Sequence, residues 1–96
     1  MTYKIIVSPR AQKEIENAVE YYGLYSSLVP KRFVVALLKA YKTLSQTPFF
    51  EYRYKEIMSF KIDIFPYSLF YVVDEKNKKI RILSCFHNKR NPRNQP

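Results

Sequence analysis

The sequence predicts an α+β fold: an N-terminal β-strand, an αα-hairpin, then a three- to four-stranded antiparallel sheet. Three observations carry that reading. Apolar residues alternate at the start, recur at helical spacing over two consecutive segments, and return to alternation from about Tyr52 onward. The connections in the second half are short, as antiparallel strands require. The run Leu69 to Val73 is apolar on both faces and fits the centre of a sheet.

The first strand is "YKIIV", with Tyr3, Ile5 and Val7 alternating against Lys4, Ile6 and Ser8. Ser8 followed by Pro9 marks a helix start, because the hydroxyl can accept an orphan amide and proline needs no amide partner. Ala11, Ile15, Ala18, Val19 and Tyr22 then form one helical stripe, while Lys13, Glu14, Glu16 and Glu20 are free to face water. Gly23, the single glycine, ends or bends this helix. "SSLVP" is a short connection with Ser26 or Ser27 as caps, and a second helix is expected from Val29 to Ser45. Its wide face of Phe33, Val34, Leu37, Leu38, Tyr41 and Leu44 can cover both the first helix and a sheet. So brief a link makes the two helices antiparallel neighbours. Pro48 stops the second one.

Strand candidates follow in "YRYKEIM", in "SFKIDIF", where Phe60, Ile62 and Ile64 oppose Lys61 and Asp63, and in "YSLFYVV". "DEKNKK" is a turn with Asn77 as the expected positive-φ residue. The last strand is expected to set Ile80 and Ile82 against Arg81, Leu83 and Cys85. Residues 1–96 read as a single domain, with an irregular basic tail over about 88–96.

Composition removes several classes of function. One cysteine, Cys85, cannot form an internal disulfide, which fits a reducing compartment. No apolar run approaches a membrane span or a secretory core, so the expectation is a cytoplasmic protein with no membrane partner. A lone histidine and a lone cysteine cannot supply three or four convergent metal ligands. A chain with one glycine has no phosphate-binding loop. No metal and no cofactor are therefore expected. Seventeen Lys and Arg against eight Asp and Glu give a formal charge of +9, a field that attracts polyanions or an acidic protein.

Basic and aromatic residues interleave: Arg53, Lys55 and Lys61 belong to alternating strands, with Tyr52, Tyr54 or Tyr71 nearby. Arg81, Lys89, Arg90 and Arg93 follow in the last strand and its tail. If the open face gathers them, rings can stack on bases and cations can meet phosphates, as single-stranded RNA requires. The competing reading is simpler, because a half-buried strand must put polar residues on its solvent face. His87 could exchange a proton with a ribose hydroxyl, with Arg90 beside it to steady a phosphate; otherwise it caps the last strand or meets an acidic partner. Cys85 reads as a buried structural thiol rather than a nucleophile.

"SPRAQKEIENAVEYY" early, "PYSLFYVVDEKNKKIRIL" late and the close "FHNKRNP", in this order on a short basic chain, resemble the RelE/ParE superfamily of toxins from bacterial type II toxin–antitoxin systems. The resemblance spans about residues 3 to 92. It implies a toxin neutralised by a cognate antitoxin in a heteromeric complex, and it implies one of two mechanisms. RelE-like members are ribosome-dependent mRNA endoribonucleases; by resemblance Lys55 or Lys61 would neutralise phosphate, Arg81 would stabilise the transition state and His87 would handle a proton. ParE-like members inhibit DNA gyrase and generally lack that catalytic set. Ser68 stands where nuclease members usually carry an arginine, and the "FHNKRNP" close is similar to ParE-like chains, so the ParE-like subgroup is favoured. A third alternative is an inactive homologue that only binds antitoxin. Apolar residues near the hairpin turn, Leu24, Tyr25, Leu28 and Val29, are candidates for the antitoxin dock.

Overall fold

A computed structural model describes residues 2–48, the backbone of 51–54, and 56–88. The order is β1 (Lys4–Val7), α1 (Pro9–Gly23), α2 (Val29–Gln46), β2 (Glu51–Tyr54), β3 (Ile57–Lys61), β4 (Tyr67–Asp74) and β5 (Lys79–His87). The expected tail beyond Asn88 lies outside the described residues.

α1 has a side-chain N-cap, Ser8; the N-cap of α2 is Leu28, which makes no side-chain cap hydrogen bond, so the expected Ser26 or Ser27 cap is not the one used and Ser26 contributes from two residues ahead of it. Ser8 Oγ accepts from Ala11 N–H at 3.1 Å ahead of Pro9, and Ser26 Oγ accepts from Leu28 N–H and Val29 N–H at 3.0 and 3.3 Å. α1 buries Ala11, Ile15 and Ala18, and α2 buries Phe33, Leu37, Ala40 and Leu44. These stripes meet Met58, Leu69, Tyr71, Ile80, Ile82 and Cys85 from one face of the sheet in a single core. At its hairpin end the core is aromatic, with Phe33 edge-on to Phe65 and Tyr67 at 5.2 and 5.3 Å between ring centroids.

The sheet order is β1-β5-β4-β3-β2. The four strands of the second half pair antiparallel, and β4 is central as its two-faced apolar run requires. β1 adds in parallel to the free edge of β5, with Ile5 level with Ile80 and Val7 with Ile82. Ser45 at the end of α2 helps hold β1 there: its carbonyl accepts from Tyr3 N–H and its hydroxyl donates to Tyr3 O. Tyr71, fully buried, donates its hydroxyl to Pro48 O at 2.8 Å and pins the chain leaving α2.

Four other local expectations change. β3 stops at Lys61, so Asp63 and Ile64 belong to a bend, and Ile64 has φ 73 and is 85% exposed. Alternation continued past the strand because the bend happens to carry apolar residues too. In the β4–β5 turn the Asp74 carboxylate takes both Asn77 N–H and Asn77 Nδ2, and the positive φ falls on Lys78 instead. Those hydrogen bonds hold the Asp74 carboxyl below its usual range. In β5 the register against β4 shifts by one, with Tyr71 opposite Ile82 but Phe70 opposite Ser84. Leu83 is the extra residue, and the bulge returns Cys85 to the helix side, buried with Ile80 and Ile82. Finally, Glu14 does more than face water, as its contacts below show.

Candidate functional site

Beyond Ile82 the β5 edge has no β1 residue left to pair with, and α1 completes it. Ser8 N–H donates to Ile82 O and Ser8 Oγ to Leu83 O. One turn into α1, Glu14 Oε1 accepts from Ser84 Oγ at 2.9 Å and from Cys85 N–H at 3.0 Å. Glu14 Oε2 is 3.6 Å from Arg10 Nε. One carboxylate thus fastens α1 to the last strand and supplies acceptors that the sheet cannot.

Next to this junction is a polar hollow of about 210 Å³, lined by Glu14, Asn17, Tyr67, Cys85 and His87 among others. His87 pairs with Tyr67 across β4 and β5, and their rings meet edge-to-face at 4.9 Å. The imidazole therefore sits on the helix side of the sheet. Cys85 is no nucleophile there: burial, and secondarily the Glu14 charge, push its thiol from 9.0 up to about 12.

The other described candidates lie across the sheet. Arg81 is exposed on β5, opposite Val72 and one residue out of phase with the core positions Ile80 and Ile82. Their β4 partners, Val72 and Tyr67, are five positions apart, which at the rise of a strand sets Arg81 about 17 Å along the sheet from His87. Lys61 pairs with Ser68 on the face away from the helices, and its Nζ donates to Ile62 O at 3.2 Å and Phe65 O at 3.1 Å, bracketing Ile64. The structure does not bring Lys61, Arg81 and His87 together. Lys55 and Arg90 lie outside the described residues. At the hairpin turn Leu24 and Tyr25 are each 76% exposed and Leu28 is exposed as well.

Two features were not readable from sequence. Glu14 looked like one more solvated helix acid, since its partners are 70 residues away. Exposed Val35 and Ile64, with basic neighbours, line a groove between α2 and the bend. The excess of cations on α2 was its one visible sign. Among the described residues no group of three or more His, Cys, Asp or Glu could hold a metal ion, and no helix is long and apolar enough to cross a membrane.

No curated protein sequence matches the chain. Solved structures share the fold at low identity. A chain of the chromosomal ParDE toxin–antitoxin system from P. aeruginosa superposes with a TM-score of 0.76 at 14% identity, covering 90% of this chain and 96% of that one. A chain of the RelBE2 toxin–antitoxin complex from Mycobacterium tuberculosis gives 0.67 at 18% identity, covering 91% and 99%. The YoeB dimer from Staphylococcus aureus gives 0.58 at 19%, covering 88% and 95%. The family model for the ParE toxin of the type II toxin–antitoxin system parDE matches residues 5–92, nearly the whole sequence. With the strand, helical hairpin and antiparallel sheet that the residues themselves dictate, this chain belongs to the ParE toxin family of the RelE/ParE superfamily.

Proposed function

We propose that the chain is a gyrase-directed toxin, acting in the cytoplasm and neutralised by a cognate antitoxin. The observation that carries this reading is the separation, among the described residues, of the candidate catalytic groups Lys61, Arg81 and His87. Acid–base cleavage of RNA needs a proton-transfer group within hydrogen-bond reach of the reacting oxygen and a cation at the same phosphate. Here His87 is on the helix side, Arg81 is on the opposite side about 17 Å along the strand, and the Lys61 ammonium is engaged by two carbonyls. A toxin that acts by binding gyrase needs no such convergence. The antitoxin is supported by the +9 charge, which suits an acidic partner, and by the relatives, which include a ParDE system and a RelBE2 complex.

The test is a gyrase supercoiling assay run beside a purified translation system, with the wild-type chain, His87→Ala and Arg81→Ala. Lost supercoiling, or gyrase-dependent DNA cleavage, by wild type and His87→Ala alike is the expected result. Ribosome-dependent mRNA cleavage that disappears in His87→Ala or Arg81→Ala would instead establish the nuclease with those residues, together with Lys55, Lys61 or Arg90, as its machinery. Silence in both assays, with antitoxin still bound, would identify an inactive homologue.

A further inference from the structure

α2 has two faces of different kind. Phe33, Leu37, Ala40 and Leu44 are buried against the rest of the fold. On the far side Leu28, Arg32, Val35, Lys39 and Lys42 follow one another at steps of four and three residues, which by helical geometry makes one exposed stripe. Lys31 is exposed beside it. The stripe mixes aliphatic and cationic side chains, and no acid interrupts it. α2 holds Lys31, Arg32, Lys39 and Lys42 and no Asp or Glu, whereas α1 holds Glu14, Glu16 and Glu20 against Arg10 and Lys13.

The bend before β4 extends this surface. Between the bend and α2 is a groove of about 540 Å³ lined by Lys31, Arg32, Val35, Lys39 and Ile64 among others, with Asp63 as its acid. Ile64 has a φ of 73, in the left-handed region where a β-branched residue is strained, and it is 85% exposed. Core packing does not explain an isoleucine there. Lys61 holds the bend in that shape by donating to the Ile62 and Phe65 carbonyls on either side of it. Val35 is 65% exposed and Leu28 51%, so three aliphatic groups project outward among cations.

We infer that the outer face of α2, with Ile64 of the bend, lies on a bilayer surface rich in anionic lipid, where Lys31, Arg32, Lys39 and Lys42 meet headgroup phosphates and Leu28, Val35 and Ile64 enter the acyl boundary. A basic amphipathic helix face has this affinity. A protein partner would have to bring a cavity for each projecting side chain and an acid for each cation between them. A bilayer offers both everywhere, and the Lys and Arg stems are long enough to reach its phosphates. A nucleic acid would satisfy the cations but set Val35 and Ile64 against phosphate and water, and a second copy of a +9 chain is repelled. Lying on a surface needs no spanning segment, the feature on whose absence the expectation of no membrane partner was built. The inference is independent of the gyrase reading.

The test is co-sedimentation of the full chain with vesicles of phosphatidylcholine, alone or mixed with phosphatidylglycerol, at low and high salt. Binding to the mixed vesicles only, weakened by salt, is the expected result. Lys39→Ala should weaken it about fivefold, the share of one cation at an anionic surface. Val35→Asn and Ile64→Asn should each weaken it about tenfold, as one aliphatic side chain is withdrawn from hydrocarbon, and Asn tolerates the left-handed backbone of the bend. Lys76→Ala removes the same charge from the β4–β5 turn, outside the stripe, and should stay within about twofold of wild type. Melting of each variant confirms that it folds.

Equal binding to phosphatidylcholine alone overturns the assignment, because headgroup charge would then play no part. A Lys76→Ala as damaging as Lys39→Ala overturns it too, leaving only net charge at work. So do Val35→Asn and Ile64→Asn indistinguishable from wild type, since nothing apolar would then enter the bilayer. A wild-type chain that ignores the mixed vesicles ends the inference. In that case a DNA duplex bound by wild type and lost in Lys39→Ala would give the face to nucleic acid, a dimer broken by Val35→Asn to a second copy, and an antitoxin complex weakened by Val35→Asn to a protein.

Discussion

Replacing Glu14 by alanine tests whether one carboxylate holds α1 on the sheet. Its Oε1 accepts from Ser84 Oγ and Cys85 N–H, and both donors belong to residues almost removed from water, Ser84 at 1% exposure. A hydrogen bond to a charged group contributes about 1.5–3 kcal/mol, and a buried donor left without a partner costs about 1–3 kcal/mol. Two effects reduce the sum. The Ser84 hydroxyl can turn, and the Glu14 side chain is 28% exposed, so water enters part of the gap. The Arg10 contact is exposed and long, and such pairs contribute less than about 1 kcal/mol. The expected loss is about 2 kcal/mol, which for a domain of this size lowers Tm by about 8–16 °C. Glu14→Gln keeps a carbonyl acceptor in the same place and should lose about half as much. Thermal and urea unfolding of wild type and both variants measures the difference. A Glu14→Ala melting point within about 3 °C of wild type would refute the fastening role. So would a Glu14→Gln as damaging as Glu14→Ala, because charge alone would then be at work.

Three further outcomes are expected. Ser8→Ala removes the cap on Ala11 N–H and the bond to Leu83 O together, and should cost about 1–2 kcal/mol in urea unfolding; no change would mean that water replaces both. Ile64→Gly should raise the melting point, since it relieves a left-handed β-branched residue at a cost of about 1–2 kcal/mol while giving up little buried surface, and a lowered melting point would show that the side chain packs in the free protein. The Cys85 thiol, pushed up to about 12 in the folded chain from an ordinary 9.0, should resist a thiol reagent at pH 8 until the protein unfolds. The same shift has a sign: the unfolded thiol ionises above about pH 9 while the folded one keeps its proton, so the unfolded state is favoured and stability should fall as pH rises from 9 toward 12. Flat stability across that range would contradict the burial.

The residues dictate the element order because each element is a local pattern. Tyr3, Ile5 and Val7 alternate, Ala11, Ile15 and Ala18 recur at helical spacing, and Leu69–Val73 is apolar throughout, so strand, helix and central strand are legible one at a time. The Ser8–Pro9 start is legible for the same reason, since a cap is a contact between near neighbours. The charge of +9 is a property of the chain before it folds. What tertiary structure decided are the relations between distant residues. The parallel seat of β1 on β5, the bulge at Leu83 that turned Cys85 inward, and the grip of Glu14 on Ser84 all depend on pairing between different elements. The sheet itself also divides Lys61 and Arg81 from His87. Periodicity says which residues share a face of one strand; register, bulges and the edge a strand chooses are set only when strands pair, and they determine which side chains can meet.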